Sequence, residues 1–232
     1  MMNFFCKPTC IFCDTESYRE LDLCFACEND LPALKNHCTK CAEPLPEGQD
    51  LCGLCLNNSL PEVQIVALFY YQSPIDLLIT KLKFGNNLIG AKILGELFAV
   101  RLNEHYQNKT KPEIIIPVPL HPDRLRDRGY NQALELSRPI AKKLQIPIDK
   151  FCVERIKNTQ PQARLVAKER KQNIKQAFFV SQGFSYQHVA VIDDVITTGN
   201  TVVELCKSLL RVGVKQIDVW CLAKSSFKDI YK

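Results

Sequence analysis

Two groups of residues in this 232-residue chain have the types and spacing that chemistry requires. In VIDDVITTGNT, the apolar strand candidate 188–192 delivers Asp193 and Asp194 to its carboxyl end. Thr197, Thr198, Gly199, Asn200 and Thr201 then enter a helix candidate. Backbone N–H groups at a helix start are unpaired and carry partial positive charge, so such a turn can hold a phosphate monoester. The threonine hydroxyls add donors, and Gly199 lets the backbone come close. Adjacent carboxylates accept hydrogen bonds from a vicinal diol or gather a hydrated Mg2+. Diol plus phosphate describes a ribose 5-phosphate. The plainer alternative is that the acids only end a strand and the threonines only cap a helix. The stretch is not a P-loop, since no Gly-Lys-Ser/Thr follows, and the chain has no GxGxxG.

The second group is cysteine. Four CxxC pairs, Cys10/Cys13, Cys24/Cys27, Cys38/Cys41 and Cys52/Cys55, recur at equal intervals and hold eight of the 12 cysteines. Each knuckle can give two thiolates to a tetrahedral ion, so the set predicts two structural Zn2+ with no open position for catalysis. Sequential assignment puts the first two knuckles on one ion and the last two on the other. A cross-braced assignment pairs alternate knuckles, and equal spacing leaves both open. Tetrahedral S4 sites also suit iron. Segments this short cannot build a core, so metal must supply folding free energy, on the order of 10 kcal/mol per ion. Cys6 is a surplus ligand; Cys152, Cys206 and Cys221 are expected to be buried apolar residues.

The elements that must position these residues follow from pattern. With 46% apolar residues the chain can bury one sizeable core beside a smaller module. After Pro61 the composition shifts, giving expected domains at 1–60, the cysteine module, and 61–232. VQIVALFYYQ reads as a strand, and residues 75–83 and 89–105 read as amphipathic helices. From Glu113 the order is strand, loop, helix, strand, helix, strand: EIIIPVPL, a helix over 131–144, FFVSQ, HVAVI, a helix over 200–212 closed by Gly213, and IDVWCLA. That alternation predicts an α/β fold with a mostly parallel twisted sheet. Ligands of such sheets sit beyond the carboxyl ends of strands, where both IIIPVPLHPDR and VIDDVITTGNT fall. No run reaches the roughly 18–20 apolar residues of a membrane helix, and MMNFFCKPTC lacks the features of a signal peptide. The expectation is a cytoplasmic protein without membrane insertion.

Charge is uneven along the chain. Residues 1–60 hold 4 Lys and Arg against 9 Asp and Glu, whereas 121–180 hold 14 against 6. HPDRLRDRGYNQ sets Arg124, Arg126 and Arg128 after a strand end. Read alone, this is a solvated basic loop with Asp123 and Asp127 as ion-pair partners. The stretch from Arg155 to Lys175 is basic, Gln-rich and poor in apolar residues, and so is expected to be mobile. Arg155, Lys157, Arg164, Arg170 and Lys171 could track a nucleic-acid backbone, with Tyr130 or Phe84 available to stack a base. Lys81 and Lys83 in KLKFGNN either extend the basic patch or decorate a helix surface.

VAVIDDVITTGNTV resembles the phosphoribosyl-pyrophosphate (PRPP) fingerprint of type I phosphoribosyltransferases. Four CxxC pairs, KLKFGN, IPVPLHPDRLRDRGYNQALELS, RIKNTQPQARLVAKERKQNIKQAF and the acidic loop, in that order, resemble the ComF family of competence and GntX-type proteins over nearly the whole chain. The resemblance implies a double zinc ribbon on a phosphoribosyltransferase domain. It assigns Asp193 and Asp194 to the ribose hydroxyls, Ile196, Thr197, Thr198, Gly199, Asn200 and Thr201 to the 5-phosphate, and Val118, Pro119, Leu120 and His121 to a pyrophosphate loop. In related transferases the Arg155–Lys175 segment is a flap that closes over PRPP.

Two functions follow from it. One is PRPP binding in natural transformation, handling incoming single-stranded DNA beside a DNA-uptake helicase or other competence protein. The alternative is Mg2+-dependent transfer from PRPP to a nitrogen acceptor, a reaction resting on positioning and leaving-group neutralisation, which requires no catalytic His or Cys. No acceptor pocket is readable.

Overall fold

A computed structural model of the chain describes residues 7–57, 63–85, 88–158 and 176–225. Cys6, Arg164, Arg170 and Lys171 lie outside the described residues, as does most of the expected flap.

The centre is a four-stranded parallel sheet of β1 (Val63–Tyr70), β2 (Ile114–Pro117), β5 (His188–Ile196) and β6 (Gln216–Lys224), in the order β1-β6-β5-β2. Both inner strands are buried on two faces, and their side chains divide by alternation. Ala190, Ile192, Trp220 and Leu222 meet α3 (Ile75–Phe84), α4 (Leu88–His105) and α6 (Gln132–Leu144) in one core. Val189, Val191, Ile217, Val219 and Cys221 meet α7 (Asn200–Arg211) in the other. The α/β expectation therefore holds, with the helices layered on both faces. A separate antiparallel pair, β3 (Val153–Arg155) and β4 (Phe178–Val180), adds Val153 and Phe178 to the second core.

Helix α4 crosses α6 at Gly95, where an added Cβ would lie 2.5 Å from Pro139 Cγ and 2.8 Å from the Leu136 carbonyl oxygen. No larger residue allows that approach. Among the described residues no helix is long and apolar enough to cross a membrane.

The cysteine module, with the short helices α1 (Phe25–Asn29) and α2 (Gly53–Asn57), is built against the outer edge of β1. Leu34 N–H donates to the Leu68 carbonyl at 3.0 Å and Tyr70 N–H to the Pro32 carbonyl at 2.9 Å. The linker between the two knuckle pairs thus covers an otherwise open strand edge. Ile65 N–H donates to the Lys40 carbonyl at 2.8 Å. Lys224, 2% exposed at the end of β6, donates from Nζ to Glu43 Oε2 of the module at 3.0 Å and to the carbonyl of the adjacent Ser225 at 2.7 Å.

Three local expectations are corrected. Residues 122–128 form a helix, α5 (Pro122–Arg128), instead of a basic loop. Proline suits a first helical turn, where its missing N–H costs nothing. His121 Nδ1 accepts from Asp123 N–H at 3.3 Å, and Gly129 closes the helix at φ 80°. Strand β5 continues past Ile192 to Ile196, because Val195 and Ile196 stay in register with Ala223 and Lys224 of β6, so the two acids lie inside the strand. Arg155 belongs to β3 and is 8% exposed, so it is no part of a mobile segment.

Candidate functional site

The carboxyl ends of β2 and β5 open on a cavity of about 200 Å3. Asp193, Asp194 and Thr201 line it from β5 and the start of α7, Val118 and Leu120 from the loop after β2, Arg124 and Arg128 from α5, Asn131, Gln132 and Ala133 from the start of α6, Lys83 from the end of α3, and Arg155 from β3.

Each element places its side chain for a local reason. Gly199 takes φ 74° as the residue before α7. That left-handed conformation is one side chains disfavour, and it lets the chain turn from β5 directly into the helix. Arg124 and Arg128 are spaced i,i+4 and share one face of α5. Arg126, on another face, reaches Asp123 Oδ1 at 3.5 Å. Asn131 fixes two elements at once: its Oδ1 accepts from Ala133 N–H at 2.9 Å to cap α6, and its Nδ2 donates to the Val118 carbonyl at 3.0 Å. The Tyr130 hydroxyl donates to the Leu82 carbonyl, which ties the end of α3 to the turn before α6. Tyr130 is thus a strut, half-buried between the two elements.

Lys83 is the residue that helical pattern leaves undecided between patch and surface. Its Nζ lies 2.7 Å from Asp194 Oδ2. Burial works against the ammonium, but the Asp194 charge and then the Asp193 charge outweigh it and hold Lys83 above its ordinary value. Burial first, and the Asp194 charge second, push the Asp193 carboxyl up to about 7, against the pull of Lys83. Asp193 Oδ1 accepts from Asp194 N–H and Asp194 Oδ1 from Val195 N–H, both at 2.8 Å. These bonds stiffen the two carboxylates.

The guanidiniums are crowded. Burial and then the Arg128 charge lower Arg124; burial and then the Arg124 charge lower Arg155 to about 10, with Asp193 pulling the other way. Both stay charged at neutral pH. Four cations, Lys83, Arg124, Arg128 and Arg155, thus face two carboxylates in one cavity. Such a set favours an anionic ligand, which would relieve the mutual repulsion.

Of the residues expected from sequence, Asp193, Asp194, Thr201, Val118, Leu120, Arg124, Arg128 and Arg155 meet here. Thr197, Thr198, Gly199 and Asn200 are partly exposed around the start of α7, while Ile196 is buried in the core. Pro119 faces a neighbouring groove, His121 caps α5, and Lys157 is exposed outside the cavity. Gln132 carries no signal in the sequence pattern; it is buried and its Oε1 accepts from Arg128 Nη1 at 2.7 Å.

The cysteines form two tetrads, Cys10, Cys13, Cys24 and Cys27, and Cys38, Cys41, Cys52 and Cys55; within each, the ligand atoms lie within 4.8 Å of one another. This is the sequential pairing, and it excludes the cross-braced one. Cys27 N–H points at Cys24 Sγ and Cys55 N–H at Cys52 Sγ, both at 3.4 Å, donors that stabilise thiolate. Burial opposes ionisation of Cys10, but backbone N–H groups around it, including those of Cys24 and Phe12, draw it down to about 6. Closed S4 sets of this kind are consistent with two structural zinc ions. Cys152, Cys206 and Cys221 are buried, as expected, and burial raises Cys152 and Cys206 to about 12.

Residues 1–56 match the double zinc ribbon domain family. The chain is 38% identical over 231 residues to competence protein F of Haemophilus influenzae, covering 97% of this chain and 100% of that one. It is 33% identical over 206 residues to the DNA utilization protein YhgH of Escherichia coli K12, covering 88% and 90%, and 23% identical over 228 residues to competence protein ComFC of Bacillus subtilis, covering 89% and 90%. A hypoxanthine phosphoribosyltransferase from Staphylococcus aureus overlies 58% of this chain and 62% of its own at 14% identity with a TM-score of 0.34. With full-length coverage at 38% identity to competence protein F, the chain belongs to the ComF family of competence proteins.

Proposed function

We propose that this protein binds PRPP and, through the same cationic face, handles incoming single-stranded DNA in the cytoplasm during natural transformation, beside a DNA-uptake helicase or other competence protein. One observation carries the ligand: Asp193 and Asp194 share a cavity with four cations at the start of a helix. Asp193 and Asp194 accept the ribose hydroxyls, and the turn 197–201 wraps the 5-phosphate with the backbone N–H groups that open α7. Val118, Leu120, Arg124, Arg128 and Arg155 stand where pyrophosphate would lie. Two adjacent carboxylates also suit a hydrated Mg2+, which when bound with PRPP would offset the charge of the pyrophosphate. The domains divide as 1–60, a zinc module, and 61–232, a phosphoribosyltransferase-like unit.

The DNA role draws on two supports. Arg124, Arg126 and Arg128 form a basic rim beside Phe84, and the relatives bear competence and DNA-utilization names. Transfer from PRPP to a nitrogen acceptor is the second reading, favoured by guanidiniums placed to neutralise a leaving group. Release of pyrophosphate on adding candidate acceptors tests it. Isothermal titration of PRPP with Mg2+ tests the ligand itself: saturable one-to-one heat supports it, and a flat trace ends it.

A further inference from the structure

The cavity does not stand alone. A groove of about 650 Å3 is lined by Lys83, Phe84, Arg124, Arg126, Asp127, Arg128 and Gly129, and three of these, Lys83, Arg124 and Arg128, also line the cavity. Phe84 is 80% exposed, an unusual state for phenylalanine, and the Arg128 guanidinium lies 5.5 Å from its ring centroid. The backbone that carries the ring is anchored, since the Tyr130 hydroxyl donates to the Leu82 carbonyl in the same last turn of α3. An exposed aromatic face beside a row of cations is a platform for a nucleobase with its backbone alongside.

Resting on the phosphate site proposed above, we infer that cavity and groove together take the end of a single DNA strand: the terminal phosphate monoester enters the cavity and the adjacent base stacks on Phe84. The size of the cavity argues for an end. Its volume is about 200 Å3. Ordinary ligand pockets start at roughly 300 Å3, so this one has room for the end of a strand and none for a strand passing through. Charge argues the same way. A terminal monoester carries between one and two negative charges near neutral pH, against one for an interior diester, and four crowded cations favour the larger charge. With a sugar that lacks a vicinal diol, Asp194 keeps its pair with Lys83 at 2.7 Å.

The test compares single-stranded 20-mers in fluorescence anisotropy: 3′-labelled strands with a 5′-phosphate or 5′-hydroxyl, 5′-labelled strands with a 3′-phosphate or 3′-hydroxyl, and a closed single-stranded circle as competitor. One phosphorylated end is expected to bind about tenfold more tightly than its hydroxyl counterpart, to be displaced by PRPP, and to resist the circle; the pair of strands that shows the preference identifies the end. Phe84→Ala should weaken that strand about five- to tenfold and Phe84→Trp should retain it, while calorimetric PRPP affinity stays unchanged in both. Equal affinity for phosphorylated, hydroxyl and circular DNA overturns the inference and leaves PRPP binding intact. An end preference without PRPP heat overturns the PRPP reading instead.

Discussion

Lys83 Nζ stands 2.7 Å from Asp194 Oδ2, joining the last turn of α3 to the acid pair on β5 across the mouth of the cavity. The Lys83 side chain is partly exposed and that of Asp194 nearly enclosed, so the pair lies between a surface and a buried ion pair in energy. Lys83→Met should destabilise the fold by about 1–3 kcal/mol, chiefly by leaving Asp194 uncompensated. Urea denaturation checks this, and adding Asp194→Asn to Lys83→Met should recover part of the loss. A double variant less stable than Lys83→Met alone would contradict the pairing.

Asp193 gives a pH signature. Its folded carboxyl is pushed up to about 7, whereas an unfolded aspartate titrates at about 3.9. Between those values the folded state keeps a proton that the unfolded state has lost, so this group's contribution falls as pH rises through the window. Asp193→Asn should therefore match wild type near pH 4 and exceed it at pH 8 by up to about 4 kcal/mol, roughly 1.4 for each pH unit between the two values. Denaturation midpoints of both proteins across pH 4–8 decide it; a constant gap would show that Asp193 is not raised.

The metal centres are separable. Elemental analysis should give two zinc ions per chain, with Cys13→Ser and Cys41→Ser each losing one. Chelation should unfold the module, since each site supplies on the order of 10 kcal/mol of its folding free energy. Iron in the purified protein, or both ions lost from either variant, would contradict two independent structural zinc sites.

Single-stranded DNA binding should weaken steeply with salt. Replacing Arg124, Arg126 and Arg128 by Ala should lower the slope of log affinity against log salt by about 2, near 0.7 per lost phosphate contact. A slope unchanged in the triple variant would place the DNA elsewhere.

The acid pair is legible in sequence because an uninterrupted apolar strand, two acids, a threonine-rich turn and an amphipathic helix each demand the same geometry. The tetrads are legible as ligands but not as pairs: evenly repeated knuckles offer no asymmetry, and only the fold brings Cys24 and Cys27 to Cys10 and Cys13. Arg155 escapes a pattern-based reading because its strand, Val153–Arg155, is too short for alternation to register, though Val153 buried, Glu154 exposed and Arg155 buried follow it. Helix α5 does carry signals, a proline at its start and a glycine at its end, masked by its density of arginines. Lys83 lies beside the buried Leu82 at the edge of an apolar stripe, and nothing local states what waits across that edge.

Whether Asp193 and Asp194 form the ribose end of a PRPP site is decided by isothermal titration with PRPP and Mg2+, run on wild type and on Asp193→Asn/Asp194→Asn. Wild type should give saturable one-to-one heat, and the double variant, its fold verified by circular dichroism, at least a tenfold weaker affinity. No heat from wild type, or equal affinity in the two proteins, would contradict that assignment.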